Sequence, residues 1–154
     1  LKVRRIENLP VLLENTAEEI GRVQRAVIGD DFKLAYLVIN SNDSGPGIIL
    51  RDDFMLGEDA VMISNLDSIK SYAHGEESSI YERKCGDTLF DSQGREIGAL
   101  SDFVINPDDK KVRGVEVSGG VFKDILEGRS ELPLKAVRWV SIENVMITQE
   151  GSDV

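Results

Sequence analysis

The chain has 154 residues, 41% of them apolar, with 28 acidic and 18 basic side chains and a formal net charge of −10. That length suits one ordinary domain or two small ones, and the apolar share supports a packed core rather than a disordered chain. No apolar run nears the roughly 20 residues of a membrane-spanning helix. The single cysteine, Cys85, excludes an internal disulfide framework and a multi-cysteine zinc site. The acidic balance disfavours direct nucleic-acid binding through phosphates.

Lys2, Arg4 and Arg5 make a basic start, but Ile6-Glu7-Asn8-Leu9-Pro10 is no apolar h-region of a signal peptide. Thr16-Ala17-Glu18-Glu19 reads as a short helix. Asn40-Ser41-Asn42-Asp43-Ser44-Gly45 carries oxygen-bearing side chains at alternate positions before a glycine, as an EF-hand loop begins. Its twelfth position is Arg51 where a glutamate is required, so a polar hairpin loop is expected. From Lys70 to Lys84 the composition turns polar, which reads as a linker over 73–81 between modules at 1–72 and 82–150. Residues 151–154 form a tail.

In the second half, Thr88-Leu89-Phe90 and the segment from Ile97 read as strands joined by the turn Asp91-Ser92-Gln93-Gly94. Pro107 with its acidic neighbours supplies the next turn. Val112-Arg113-Gly114-Val115-Glu116-Val117 follows as a strand with Val115 and Val117 on one face. Phe122-Lys123-Asp124-Ile125-Leu126-Glu127 is the second short helix, stopped by Gly128.

The halves resemble each other. Glu19–Ile28 aligns without gaps on Glu96–Ile105, and an acidic turn follows each: Gly29-Asp30-Asp31 and Asn106-Pro107-Asp108-Asp109. Leu34, Leu37 and Ile39 then match Val112, Val115 and Val117, and Val61-Met62-Ile63 repeats as Val145-Met146-Ile147. The second half carries an insertion around Ser118 to Glu131. An internal duplication is the simplest account, giving a mainly β protein with minor short helix. Gly21 and Gly98 each follow an apolar residue inside a strand, where a bulge, a sharp bend or a close backbone approach requires glycine.

Leu89-Phe90-Asp91-Ser92-Gln93-Gly94-Arg95-Glu96-Ile97-Gly98, then Val104-Ile105-Asn106-Pro107-Asp108 and Val112-Arg113-Gly114-Val115, resemble the PRC-barrel family. The resemblance covers about Tyr81 to Thr148, and more loosely Leu9 to Ile69, where Glu14 to Glu18 replaces the D-x-x-G turn. It implies two tandem small β-barrels, in which Gly21, Gly94, Gly98 and Pro107 serve turns and bulges. The family includes the cytoplasmic part of the photosynthetic reaction-centre H subunit and the C-terminal domain of a ribosome maturation factor. In both the barrel resembles a docking module that holds other proteins. This sequence has no membrane helix like the former's and a second barrel-like unit where the latter has a different N-terminal domain, so neither partner is carried over.

Chemistry is sparse. His74, the only histidine, lies in the polar linker near Ser71, Ser78 and Ser79, none of which sits in a nucleophile-type turn. Cys85 has Arg83 and Lys84 beside it but Asp87 opposing them, so no reactive thiol is expected. Asp30-Asp31, Asp52-Asp53 and Asp108-Asp109 read as solvated acidic pairs rather than metal ligands. Lys110, Lys111 and Arg113, and Arg22 with Arg25, read as solvated charge. No glycine-rich phosphate loop occurs. The expectation is no enzyme, no cofactor and no metal.

Phe122, Ile125 and Leu126 fall on one face of the insertion's helix and either cover the end of their own barrel or anchor a partner. Trp139 is expected to be buried. The expected function is a non-catalytic, cytoplasmic adaptor or assembly module that docks on proteins, basic or membrane-associated, or on its own copies. Two alternatives stand beside it: a ribosome-assembly or RNA-processing accessory factor, and a small-ligand or metal-binding module using the acidic loops.

Overall fold

A computed structural model describes residues 1–71, 78–91, 93–119, 131–139 and 144–147, with backbone only at 138, 139 and 144–147. The chain divides into two compact units, Leu1–Ile80 with Ile105–Lys111, and Tyr81–Val104 with Val112–Val154. The fold is mainly β, in curled, barrel-like sheets with few short helices. No helix of the described residues is long and apolar enough to cross a membrane.

In the first unit, α1 (Val3–Ile6) precedes β1 (Pro10–Leu13), β2 (Glu19–Ile28), β3 (Leu34–Ser41) and β4 (Gly45–Leu50). A 3-10 turn (Arg51–Asp53), β5 (Met55–Leu56), β6 (Val61–Ile63), a second 3-10 turn (Leu66–Ser68) and β7 (Lys70–Ser71) follow. The sheet order is β5-β6-β1-β2-β3-β4-β7. All its pairings are antiparallel except β1 with β6, which brings Val11 beside Val61. The EF-hand-like stretch is the β3–β4 hairpin, closed by Ser41 opposite Gly45 at φ +73.

The second unit follows α2 (Ile80–Lys84) with β8 (Thr88–Phe90), β9 (Glu96–Ile105) and β10 (Val112–Ser118). Next come β11 (Glu131–Pro133), a 3-10 turn (Leu134–Ala136), β12 (Val137–Trp139) and β13 (Asn144–Ile147). The order here is β11-β10-β9-β8-β13-β12, with β8 and β13 parallel and Leu89 beside Val145.

Hydrophobic pattern explains where these strands lie. Along β2, Ile20, Gly21 and Val23 are buried between exposed Glu19, Arg22 and Gln24, and then Ala26, Val27 and Ile28 are buried in succession. β9 repeats this, ending in buried Phe103, Val104 and Ile105. Each long strand thus starts half-covered and finishes inside a core. A fully buried Val, Leu, Ile or Phe contributes about 1.5–3 kcal/mol, so these ends anchor the sheets. Tyr81 adds an edge-to-face contact on Phe103, ring centroids 5.5 Å apart.

Three sequence expectations meet a different or undescribed backbone. Thr16–Glu19 is no helix. Ala17 stands at φ +58, its amide donates to the Leu13 carbonyl at 2.8 Å, and Glu19 already belongs to β2. The Thr16 hydroxyl accepts the Glu18 amide at 3.3 Å, which favours the turn. Residues 105–111, which the sequence boundaries put in the second module, pack in the first unit. There Ile105 exchanges hydrogen bonds with Leu1, donating to its carbonyl at 2.7 Å and accepting from its terminal amine at 3.1 Å. The helix at Phe122–Glu127 lies outside the described residues, as do Phe122, Ile125 and Leu126.

Candidate functional site

The first unit carries a cleft of about 320 Å³ lined by Glu14, Asp52, Asp53, Phe54, Met55, Met62, Ser64, Asn65 and Ser68. Glu14 follows β1, Asp52 and Asp53 sit on the first 3-10 turn, Met55 is on β5 and Met62 on β6. Met55 lies opposite Met62 across the β5–β6 ladder. β5 is the outer strand of its sheet, and Met55 is 62% exposed. Leu66, on the turn after β6, is 58% exposed. The cleft is therefore mainly polar, with Glu14, Asp52 and Asp53 and the side chains of Ser64, Asn65 and Ser68 around two methionines.

Lys110 fixes the turn that carries those carboxylates. Its ammonium donates to the carbonyls of Arg51 at 2.6 Å and Phe54 at 2.5 Å. Burial pushes its pKa below the ordinary 10.5; Asp52 and Asp53 oppose that shift and Arg51 adds to it. Arg51 turns to the backbone too, its guanidinium donating to the Leu34 carbonyl at 3.4 Å. On the opposite wall the Ser64 hydroxyl donates to Glu14 at 3.4 Å, and Asn65 Oδ1 accepts the Asp67 amide at 2.8 Å.

The other acidic pairs do backbone work. Asp31 accepts the Lys33 amide at 3.2 Å and Asp109 the Lys111 amide at 2.9 Å, each spanning two residues as an Asx turn. Among the described residues no group of three His, Cys, Asp or Glu side chains could hold a metal ion. Asp91 accepts the amides of Arg95 and Gln93, each at 2.9 Å, and pairs with the Arg95 guanidinium at 2.8 Å. These bonds, the Arg95 amide foremost, hold its carboxyl below the ordinary 3.8.

The glycines and Pro107 have defined surroundings. Gly94 closes the Asp91 turn at φ +82. Gly98 stands at φ +152, and a Cβ there would lie 2.7 Å from the Ser118 carbonyl oxygen. A Cβ on Gly21 would collide with the Asn40 carbonyl. Pro107 lies in the turn closed by Asn106 and Lys111, the Asn106 amide donating to the Lys111 carbonyl at 2.9 Å.

Of the residues weighed for chemistry, Ser79 is fully buried and accepts the Ile28 amide at 3.0 Å, ending β2. Cys85 is half-buried, and its thiol donates weakly to the Ser101 carbonyl at 3.8 Å. His74 and the Trp139 ring lie outside what the structure describes. Of the cleft residues, sequence reasoning singled out only the Asp52-Asp53 pair. Met55 between Asp52-Asp53 and Glu58-Asp59 was the available signal: an apolar side chain held in an acidic run.

Residues 81–153 match the model of the PRC-barrel domain family, as one copy. PRC-barrel domains are generally protein-interaction modules. No curated protein matches the chain.

Proposed function

We propose that this chain is a non-catalytic docking protein built from two copies of one PRC-barrel-type module. The observation that carries the docking role is the family match over residues 81–153, since such domains generally serve protein interaction. Duplication extends that reading to the first unit and is supported by repeated backbone detail. Asn8 at φ +79 donates its amide to the Val23 carbonyl at 2.8 Å, and Gly86 at φ +95 does the same to Leu100 at 2.7 Å. The return bonds, Val23 to Leu9 at 2.9 Å and Leu100 to Asp87 at 2.8 Å, also correspond. Gly21 faces Val11 as Gly98 faces Leu89, each beside a register shift. Ala17 stands left-handed where Gly94 does, in a turn one residue longer.

An affinity capture of the tagged chain from its native lysate, with reciprocal capture of each candidate, tests the docking role. A parallel variant with Phe122, Ile125 and Leu126 changed to serine, checked for an unchanged unfolding midpoint, tests the insertion as the anchor. A partner held by the native chain and lost by the folded variant supports both. Equal capture by both keeps docking and removes the insertion as its site. No reciprocal partner at low or physiological salt overturns the docking reading.

A further inference from the structure

We infer that the cleft of the first unit seats a Lys- or Arg-bearing segment of a partner protein, an inference that rests on the docking reading. A lysine or arginine side chain has an apolar stem and a charged head. The cleft lining holds partners for both: Met55 and Met62 for the stem, and Glu14, Asp52 and Asp53 as carboxylates for the head. Methionine is unbranched and adapts to different stems, which suits a surface that receives a segment rather than one rigid ligand.

Lys110 and Arg51, at the turn that carries Asp52 and Asp53, both donate to backbone: Lys110 to the Arg51 and Phe54 carbonyls, and Arg51 to the Leu34 carbonyl. Among the described residues no basic side chain lines the cleft. Exposed Glu58 and Asp59 follow β5, so the acidic character continues along the sheet's outer strand. Among the described residues no group of three carboxylates could hold a metal ion, which favours a cationic side chain over a metal as the occupant. Exposed Met55 and Leu66 give it apolar footing.

The test uses the full chain, labelled with ¹⁵N, and a synthetic peptide of alternating arginine and alanine, with its glutamate-for-arginine twin as control. Expected are amide shifts confined to residues 52–56 and 62–68 with the basic peptide and none with the acidic one. Asp52→Asn with Asp53→Asn should weaken binding by about fivefold or more, from two charge pairs. Glu18→Gln with Asp43→Asn, which removes two exposed carboxylates elsewhere on the same unit, should leave it within about twofold. Met55→Lys, at an exposed position and so compatible with folding, should abolish binding if the Asp52/Asp53 variant unfolds.

Shifts spread over the surface, with equal loss in both double variants, would mean attraction by net charge alone and overturn the inference. So would no shift at low salt. A cleft failure alongside successful lysate capture removes the cleft and leaves the docking reading standing. A failed capture with a working cleft removes the docking role and leaves a basic-peptide site.

Discussion

The Lys110 ammonium stands 4.4 Å from the centroid of the Phe54 ring and donates to the Phe54 carbonyl at 2.5 Å. One cation thus holds a residue by both its ring and its backbone, and by a second bond holds Arg51, two residues ahead of Asp53. The Lys110 backbone is left-handed, φ +59. Its amide donates to the Asn106 carbonyl and its carbonyl accepts the Leu34 amide, both at 2.8 Å. The 105–111 turn therefore shapes the cleft without lining it.

Lys110→Met keeps the stem and removes the ammonium. Two charge-assisted hydrogen bonds and the ring contact are lost together, so the unfolding free energy should fall by about 1–3 kcal/mol. The urea midpoint reads this directly. An unchanged midpoint would mean that the Arg51 and Phe54 carbonyls find water at no net loss, and that Lys110 does not hold the turn.

Ser79→Ala should destabilise the first unit by about 1–3 kcal/mol, because it strands the buried Ile28 amide without its acceptor. The site is fully buried and the hydroxyl accepts at 3.0 Å. Amide exchange at Ile28 should accelerate in the variant beyond what its global stability predicts. Ser78→Ala, one residue away and exposed, should leave both measurements unchanged.

Gly98→Ala and Gly21→Ala should each cost about 1–3 kcal/mol, since the new methyl meets backbone that cannot move independently. At Gly98 the obstacles are the Ser118 carbonyl at 2.7 Å and a Val117 methyl at 2.9 Å. Gly45→Ala separates crowding from backbone preference. It has φ +73 but nothing within 4 Å, so it should lose only about 1–2 kcal/mol from the left-handed penalty. Equal losses at Gly98 and Gly45, with Gly21→Ala neutral, would show that conformation, and not close approach, sets the glycines.

The strands were legible because alternation and continuous apolar ends report burial locally, as in β2 and β9. The Asp91–Gly94 turn was legible because an acid that accepts amides ahead of it and a left-handed glycine leave a short motif. The Thr16–Glu19 turn misled because its left-handed residue is alanine, which carries no such mark. The placement of residues 105–111 was hidden for another reason: bonds such as Ile105 to Leu1 join residues far apart in sequence, and periodicity cannot express them. The cleft was hidden in the same way. Glu14 and Ser64 meet only because β1 and β6 run side by side.

Acid titration singles out Asp91. Hydrogen bonds from the Arg95 and Gln93 amides and the Arg95 guanidinium lower its folded pKa below 3.8. Between the folded and unfolded values the unfolded chain binds more protons, so stability rises with pH there. The carboxylate's contribution is therefore complete above the ordinary value and disappears as pH falls through the folded one. Asp91→Asn keeps an acceptor oxygen but cannot titrate. The difference in urea midpoint between native chain and variant should be constant above about pH 5 and shrink steadily below 3.8. Parallel profiles down to the lowest pH at which both fold would show that the turn depends on the oxygen alone and not on its charge.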